Sequence, residues 1–138
     1  MFIPSGKTHD LVSFGVLLVI SFFILDRFSK LEAGGFALGF LVSFFLFSPD
    51  LDSRSASYRR WGALRFFWLP YIFVFRHRGL SHNPILGPLS RLIYVGLPLY
   101  LISVKYDLRL PAFSIELGLF FLLGFWVPAV VHWAVDKI

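Results

Sequence analysis

The stretch AGGFALGFLVSFFLFSPDLDSRS, residues 33–55, joins a long apolar run to a short polar turn. The run carries no charge as far as Pro49, and two carboxylates one residue apart, Asp50 and Asp52, follow it. About 20 apolar residues in a row cross the hydrocarbon core of a bilayer as an α-helix. A proline disfavours helical backbone in the residue before it, so Pro49 is predicted to end this helix. The stretch therefore predicts a membrane helix that ends in an acidic turn.

The composition of the whole chain also indicates a protein that is embedded in a lipid bilayer. Of its 138 residues, 57% are hydrophobic, 20% are aromatic and only 15% are charged. A soluble domain of this length cannot hide so much apolar surface. In lipid the backbone must form all its hydrogen bonds within the protein, which restricts a spanning chain to helices or closed barrels. The apolar runs do not alternate with polar residues as barrel strands do. We therefore predict an all-α, polytopic membrane helical bundle.

The absence of cysteine and the net charge of +5 narrow the possible partners. No disulfide or thiolate metal site can form without a thiol. The positive charge is attributed to orientation in the membrane and to anionic lipid. No alternation of aromatic and basic residues suggests a surface for stacking bases, so no nucleic acid is expected. The oligomeric state is left open.

The apolar runs predict about four spanning helices in a single domain, residues 1–138. The spans are expected at about residues 9–28, 33–49, 84–104 and 111–135. Asn83 and Pro84 match an N-cap and a first helical residue at the start of the third span. The segment 59–76 has an apolar centre, Trp61–Phe75, that contains Arg65 and Pro70, so it is predicted to lie at the interface.

Four spans would place the chain's basic residues unequally on the two sides of the membrane. One side would hold nine of them: Lys7, Arg54, Arg59, Arg60, Arg65, Arg76, Arg78, Arg91 and Lys137. The other side would hold four: Arg27, Lys30, Lys105 and Arg109. The positive-inside rule then makes the first side cytoplasmic, in a bacterial inner membrane or another bacterial membrane.

All four histidines fall at ends of predicted elements on this cytoplasmic side: His9, His77, His82 and His132. Acidic residues accompany them: Asp10, Asp50, Asp52 and Asp136. A histidine and an aspartate four residues apart, as at positions 132 and 136, share one helix face. Imidazole and carboxylate together suit zinc, manganese or iron. The pattern predicts a divalent-metal site with one or two ions.

Each of these residues also has an ordinary explanation. A single histidine at a membrane interface is commonly an amphipathic anchor, and an aspartate after a helix is commonly a polar helix end. The whole cluster could tie four helix ends together by hydrogen bonds alone. Arg91 lies within an apolar span, where it is expected either to snorkel or to reach inward towards a phosphate.

Five motifs carry a resemblance to a known family: PSGKTHD, SPDLDSRS, RWGALRFFWLPY, FRHRGLSHNPILGPLSRLIY and HWAVD. In this order they resemble a family of small, mostly cyanobacterial membrane proteins described as metal-binding. The TH, PDLD, HRGxSH and HxxxD pieces are more loosely similar to the YdjM-like family of inner-membrane metal-dependent hydrolases. The resemblance implies metal binding through the matching positions: His9, Asp10, Asp50, Asp52, His77, His82, His132 and Asp136.

The leading hypothesis is a membrane-embedded, metal-dependent hydrolase of a phosphate ester or phosphodiester, which includes lipids among its candidate substrates. The candidate metal ligands are His9, Asp50, Asp52, His82, His132 and Asp136. His77 or Asp10 would act as a further ligand, as general acid or base, or as a residue that orients a ligand. Arg76 and Arg78 would clamp phosphate oxygens. The alternatives are a metal-binding or metal-handling membrane protein without catalysis, and a purely structural one.

Overall fold

The fold is all-α, as the sequence predicts. The computed structural model describes residues 6–75, 80–108 and 113–137, and for Gly6, Lys7 and His9 it describes the backbone only. Within these ranges the chain forms six α-helices, three 3₁₀ helices and no strand. The α-helices are α1 (Gly6–Arg27), α2 (Lys30–Leu46), α3 (Ala56–Arg60), α4 (Leu69–Val74), α5 (Leu86–Lys105) and α6 (Ile115–Val135). The 3₁₀ helices are Pro49–Asp52, Gly62–Trp68 and Leu80–His82.

In the described part of the chain, three helical segments are long and apolar enough to cross a membrane. They are Lys30–Asp52, which is α2 with its following turn, Leu86–Lys105 and Ile115–Val135. Large apolar side chains on these helices point outward: Leu38, Leu99, Leu101, Leu119 and Leu123 are each more than half exposed. Such extensive exposed apolar surface is typical of a lipid-facing protein. Helix α1 contains the charge-free run 11–25, and its role as a fourth span stays a prediction.

Glycines let α2 and α6 pack in parallel at very short distance. A Cβ atom at Gly39 would collide with the backbone carbonyl of Phe121, and one at Gly124 would collide with that of Phe36. Gly35 and Gly39 form the small-xxx-small pattern that permits close approach of membrane helices. Because the two helices run in the same direction, their carboxyl ends meet at one end of the bundle.

Helix α1 packs antiparallel to this pair. The ring of Phe14 lies 5.4 Å from that of Phe44 late in α2, whereas Phe28 lies 4.9 Å from Phe120 early in α6. Leu17 packs between them against the apolar cluster on α2. The first turns of α1, which contain His9, therefore lie at the end where α2 and α6 finish.

Residues 49–75, which follow α2, are folded into short helices with one buried face. Trp68 and Tyr71 are fully buried, and the ring of Trp68 lies 5.7 Å from that of Phe47 at the end of α2. On the outer face, Phe66 and Phe73 are 64% and 88% exposed. The aromatic packing holds this segment against the same end of the bundle, and its entry into the membrane interface stays a prediction.

Candidate metal centre

The acidic turn after α2 is held by hydroxyl groups on its backbone. The carbonyl of Asp50 accepts hydrogen bonds from the hydroxyls of Ser53 and Ser55, at 3.0 and 2.8 Å. The carbonyl of Pro49 accepts one from Ser81 at 3.0 Å, in a fully buried position. Since Ser81 belongs to the turn before α5, this bond joins the two turns that carry Asp50 and His82.

Arg91 makes the second connection between these turns. Its guanidinium is fully buried and donates to the carbonyls of Phe47 and Ser81, the latter at 2.9 Å. The structure therefore differs from both sequence-based expectations for Arg91, because its donors satisfy backbone carbonyls instead of reaching solvent or a phosphate. The prediction of Asn83 as the N-cap is wrong by two residues, because α5 begins at Leu86 and Ile85 is its N-cap residue. The side-chain oxygen of Asn83 still accepts from the amides of Ile85 and Leu86 at 2.9 Å, within the turn that precedes the helix.

Three elements bring one carboxylate and two imidazoles together. Asp50 follows α2, His82 precedes α5, and His132 lies in the last turn of α6. The Oδ1 atom of Asp50 is 3.6 Å from Nε2 of His82 and also 3.6 Å from Nε2 of His132. The two imidazole centroids are 5.5 Å apart. One ligand atom from each of the three residues lies within 4.8 Å of the others.

Asp52 approaches the opposite side of His82. Its Oδ2 atom is 3.2 Å from Nδ1 of His82, and its carboxylate is fully buried. Burial of His82 by itself lowers the pKa of the imidazole, but the hydrogen bonds and charges of Asp50 and Asp52 outweigh it and raise that pKa to about 9. In the metal-free protein at neutral pH, His82 is therefore a cation between two carboxylates.

Asp136 contributes a second carboxylate next to His132. Its Oδ2 atom is 3.4 Å from Nε2 of His132, across the i, i+4 spacing on which the sequence argument relied. The side chain of His132 is 10% exposed, whereas those of Asp50 and Asp136 are each 37% exposed. The cluster therefore has a closed side formed by the imidazoles and an open side formed by the carboxylates of Asp50 and Asp136.

These donors fit a small divalent cation. Zinc binds imidazole nitrogens and carboxylate oxygens at about 2.0–2.2 Å in a tetrahedron, which separates neighbouring ligand atoms by about 3.3–3.6 Å. The two Asp50–imidazole separations of 3.6 Å are close to that value. Asp52 is placed as the carboxylate that commonly orients a metal-binding histidine from its other nitrogen.

The remaining predicted site residues lie outside this geometry or outside the described residues. Asp10 is exposed on α1. His9 lies in the same helix, at the same end of the bundle, and its side chain is outside the described atoms. Arg76, His77 and Arg78 lie outside the described residues, so their predicted roles stay predictions. Sequence reasoning missed the bridging role of Arg91, although its charge within an apolar run signalled a buried partner.

The all-α fold and the cluster of histidines and aspartates at its helix ends place this chain among helical proteins with a possible metal site. The chain belongs to the DUF2227 family, described as uncharacterised metal-binding proteins, which it matches over residues 4–127. The matched region contains Asp50, Asp52 and His82, and His132 and Asp136 follow it.

A relative from Aquifex aeolicus supports this membership. It is described as an uncharacterised protein and is 33% identical, over an alignment that covers 73% of this chain and 86% of the relative. No solved structure matches the chain significantly. The family description agrees with the metal-binding prediction and leaves the metal and any reaction unspecified.

Proposed function

We propose that this protein is an integral membrane protein that binds one divalent cation through Asp50, His82 and His132. The observation that carries the proposal is that Asp50 Oδ1 lies 3.6 Å from each Nε2 atom, close to the spacing of neighbouring ligands in a tetrahedral site, and that one ligand atom from each of the three residues lies within 4.8 Å of the others. Asp52 would hold the Nδ1 proton of His82, which leaves Nε2 free to bind the metal. In the metal-free protein, the proton on Nε2 has to leave before a cation can enter.

We further propose that the bound metal serves hydrolysis of a phosphate ester or phosphodiester. Catalytic zinc sites keep three protein ligands and one open position, whereas structural sites are closed by four. A divalent cation at such a position would lower the pKa of the water bound to it and would polarise a phosphoryl oxygen. Asp136 lies on the open side, beside His132, and would accept a proton during the reaction. The apolar helices around the cluster favour an amphiphilic substrate, and the loose likeness to YdjM-like hydrolases points the same way.

The second candidate is a metal-binding protein without catalysis. The partial exposure of Asp136 beside His132 supports it, because this carboxylate could supply the fourth ligand and close the site. The two candidates make different predictions for Asp136→Asn. A closed structural site would bind its metal much more weakly after this change, whereas a catalytic site would retain the metal and lose turnover.

In the first experiment the full chain is purified in detergent, and its metal content is measured by elemental analysis. We expect about one equivalent of zinc, manganese or iron in the wild type and a large loss in Asp50→Ala, His82→Ala and His132→Ala. Asp26→Asn is the matched control that retains metal, because this exposed aspartate lies near the other end of α1 from the cluster. Retention in all three alanine variants contradicts the site. Phosphomonoesters, phosphodiesters and phospholipids are then screened, and inactivity of the metal-loaded protein on all of them contradicts the hydrolase.

A further inference from the structure

A basic cleft opens beside the acidic turn, on α3 and the 3₁₀ helix that follows it. Its volume is about 370 Å³, and Arg54, Tyr58, Arg59 and Arg65 line it. Tyr58 is buried in the aromatic core, which fixes one wall of the cleft. A guanidinium nitrogen of Arg59 donates to the carbonyl of Arg54 at 3.4 Å, so these two residues are held side by side.

The arginines of this cleft form no ion pair with an acidic residue in the part of the chain that the structure describes. The sequence from residue 53 to residue 106 contains no aspartate or glutamate. Three arginines around one cleft repel one another, and a phosphate group is the anion whose geometry their planar forks match best.

The position of the cleft favours a phosphate that belongs to a lipid. The indole nitrogen of Trp61 donates to the carbonyl of Leu46 at 2.9 Å, which fixes this segment at the carboxyl end of the spanning helix α2. Leu64 and Phe66, the neighbours of Arg65 in the chain, are 59% and 64% exposed. Exposed apolar side chains beside arginines at the end of a span are typical of contact with headgroups and acyl chains together.

We infer that the cleft formed by Arg54, Tyr58, Arg59 and Arg65 binds the phosphate of an anionic phospholipid headgroup. The arginines would bind the phosphate oxygens, and Leu64 and Phe66 would lie against the acyl chains. Because this inference does not rest on the metal site, the lipid-binding proposal and the metal-binding proposal can be contradicted independently. Metal content in the cleft variants is therefore measured alongside lipid binding.

The test uses the full chain in nanodiscs of phosphatidylcholine with or without phosphatidic acid, and native mass spectrometry counts the lipid that stays bound. We expect selective retention of phosphatidic acid, reduced on the order of tenfold or more in Arg59→Gln/Arg65→Gln. The matched control is Arg60→Gln. Arg60 neighbours Arg59 but lies outside the cleft, with its guanidinium 5.4 Å from the ring centroid of Phe45.

Each outcome separates a specific site from general charge attraction. If the double variant retains as much phosphatidic acid as the wild type, the inference is overturned. It is also overturned if Arg60→Gln loses as much bound phosphatidic acid per arginine as the double variant does. Inorganic phosphate, offered to the protein in neutral detergent, is the second arm. The inference predicts weak binding without the lipid chains, so binding of inorganic phosphate as tight as that of phosphatidic acid would also overturn it.

Discussion

At the scale of single residues, His82 has a carboxylate at each ring nitrogen. Asp52 approaches Nδ1 at 3.2 Å and Asp50 approaches Nε2 at 3.6 Å. The charged imidazole substitutes for a cation in the metal-free protein, because it neutralises part of the negative charge that the carboxylates bring. A metal at Nε2 would replace that proton and leave the contact with Asp52 in place.

This arrangement predicts a steep dependence of metal affinity on pH. The pKa of His82 is raised from 6.5 to about 9, so the charge of His82 stabilises the metal-free fold fully below about pH 6.5 and loses this effect as pH rises through about 9. Metal must displace the proton, so affinity should rise about tenfold per pH unit up to about pH 9 and then level off. Chelator competition between pH 6.5 and 9.5 measures this slope.

The variant Asp52→Asn gives the matched control for that slope. Loss of one carboxylate lowers the pKa of His82, so the plateau should begin at lower pH while Asp50 and the histidines remain available. Wild-type affinity that does not change between pH 7 and 9 would contradict the assigned protonation of His82.

Sequence reasoning reached part of this residue-level account. It grouped Asp50, His82 and His132 because each follows or precedes an apolar run on one predicted side. It could not separate the roles of Asp50 and Asp52. That difference depends on which nitrogen of His82 each carboxylate meets, and the 3₁₀ turn after Pro49 decides this.

At the scale of elements, Arg91 and Ser81 connect the turn after α2 to the turn before α5. Replacement of Arg91 by Met should leave the buried carbonyls of Phe47 and Ser81 without a donor, at a cost of about 1–3 kcal/mol for each. Thermal unfolding in detergent measures the loss of stability. Arg60→Met is the exposed control and should change stability little, so equal effects in both variants would contradict the bridging role of Arg91.

The parallel packing of α2 and α6 gives a second prediction at this scale. Gly39→Ala should push the two helices apart, because its Cβ atom meets the carbonyl of Phe121, at a cost of about 1–3 kcal/mol. Gly34→Ala, on the open side of the same helix, should leave stability unchanged or raise it slightly. Thermal unfolding of both variants tests the interface, and tolerance of Gly39→Ala would exclude this close contact.

The sequence contained the signal for this interface, since Gly35 and Gly39 have the spacing of a small-residue helix contact. The pattern does not name the partner helix, however. Only the three-dimensional fold shows that the surface opposite Gly39 is α6, and that the contact is parallel.

At the scale of the whole molecule, orientation determines where the metal centre lies. Three segments are able to cross a membrane by length and composition, and the predicted fourth span is α1. With four spans, the amino terminus and the acidic turn share one side of the membrane. The excess of basic residues predicts that this side is cytoplasmic.

Single cysteines in this cysteine-free chain test the topology. Ser5→Cys and Ala56→Cys should resist a membrane-impermeant thiol reagent added to intact cells, whereas Tyr106→Cys should react. Reaction at Ser5→Cys together with Tyr106→Cys would show that α1 does not cross. Reaction at Ala56→Cys would reverse the orientation.

The central claim is that one cation is bound by two imidazoles that come from different helices. X-ray absorption at the metal edge measures this directly in the metal-loaded protein. We predict two imidazoles among the nitrogen and oxygen ligands in the wild type, and one in whichever of His82→Ala and His132→Ala retains enough metal to measure. A wild-type spectrum without imidazole scattering, or with scattering that neither substitution changes, would contradict the claim.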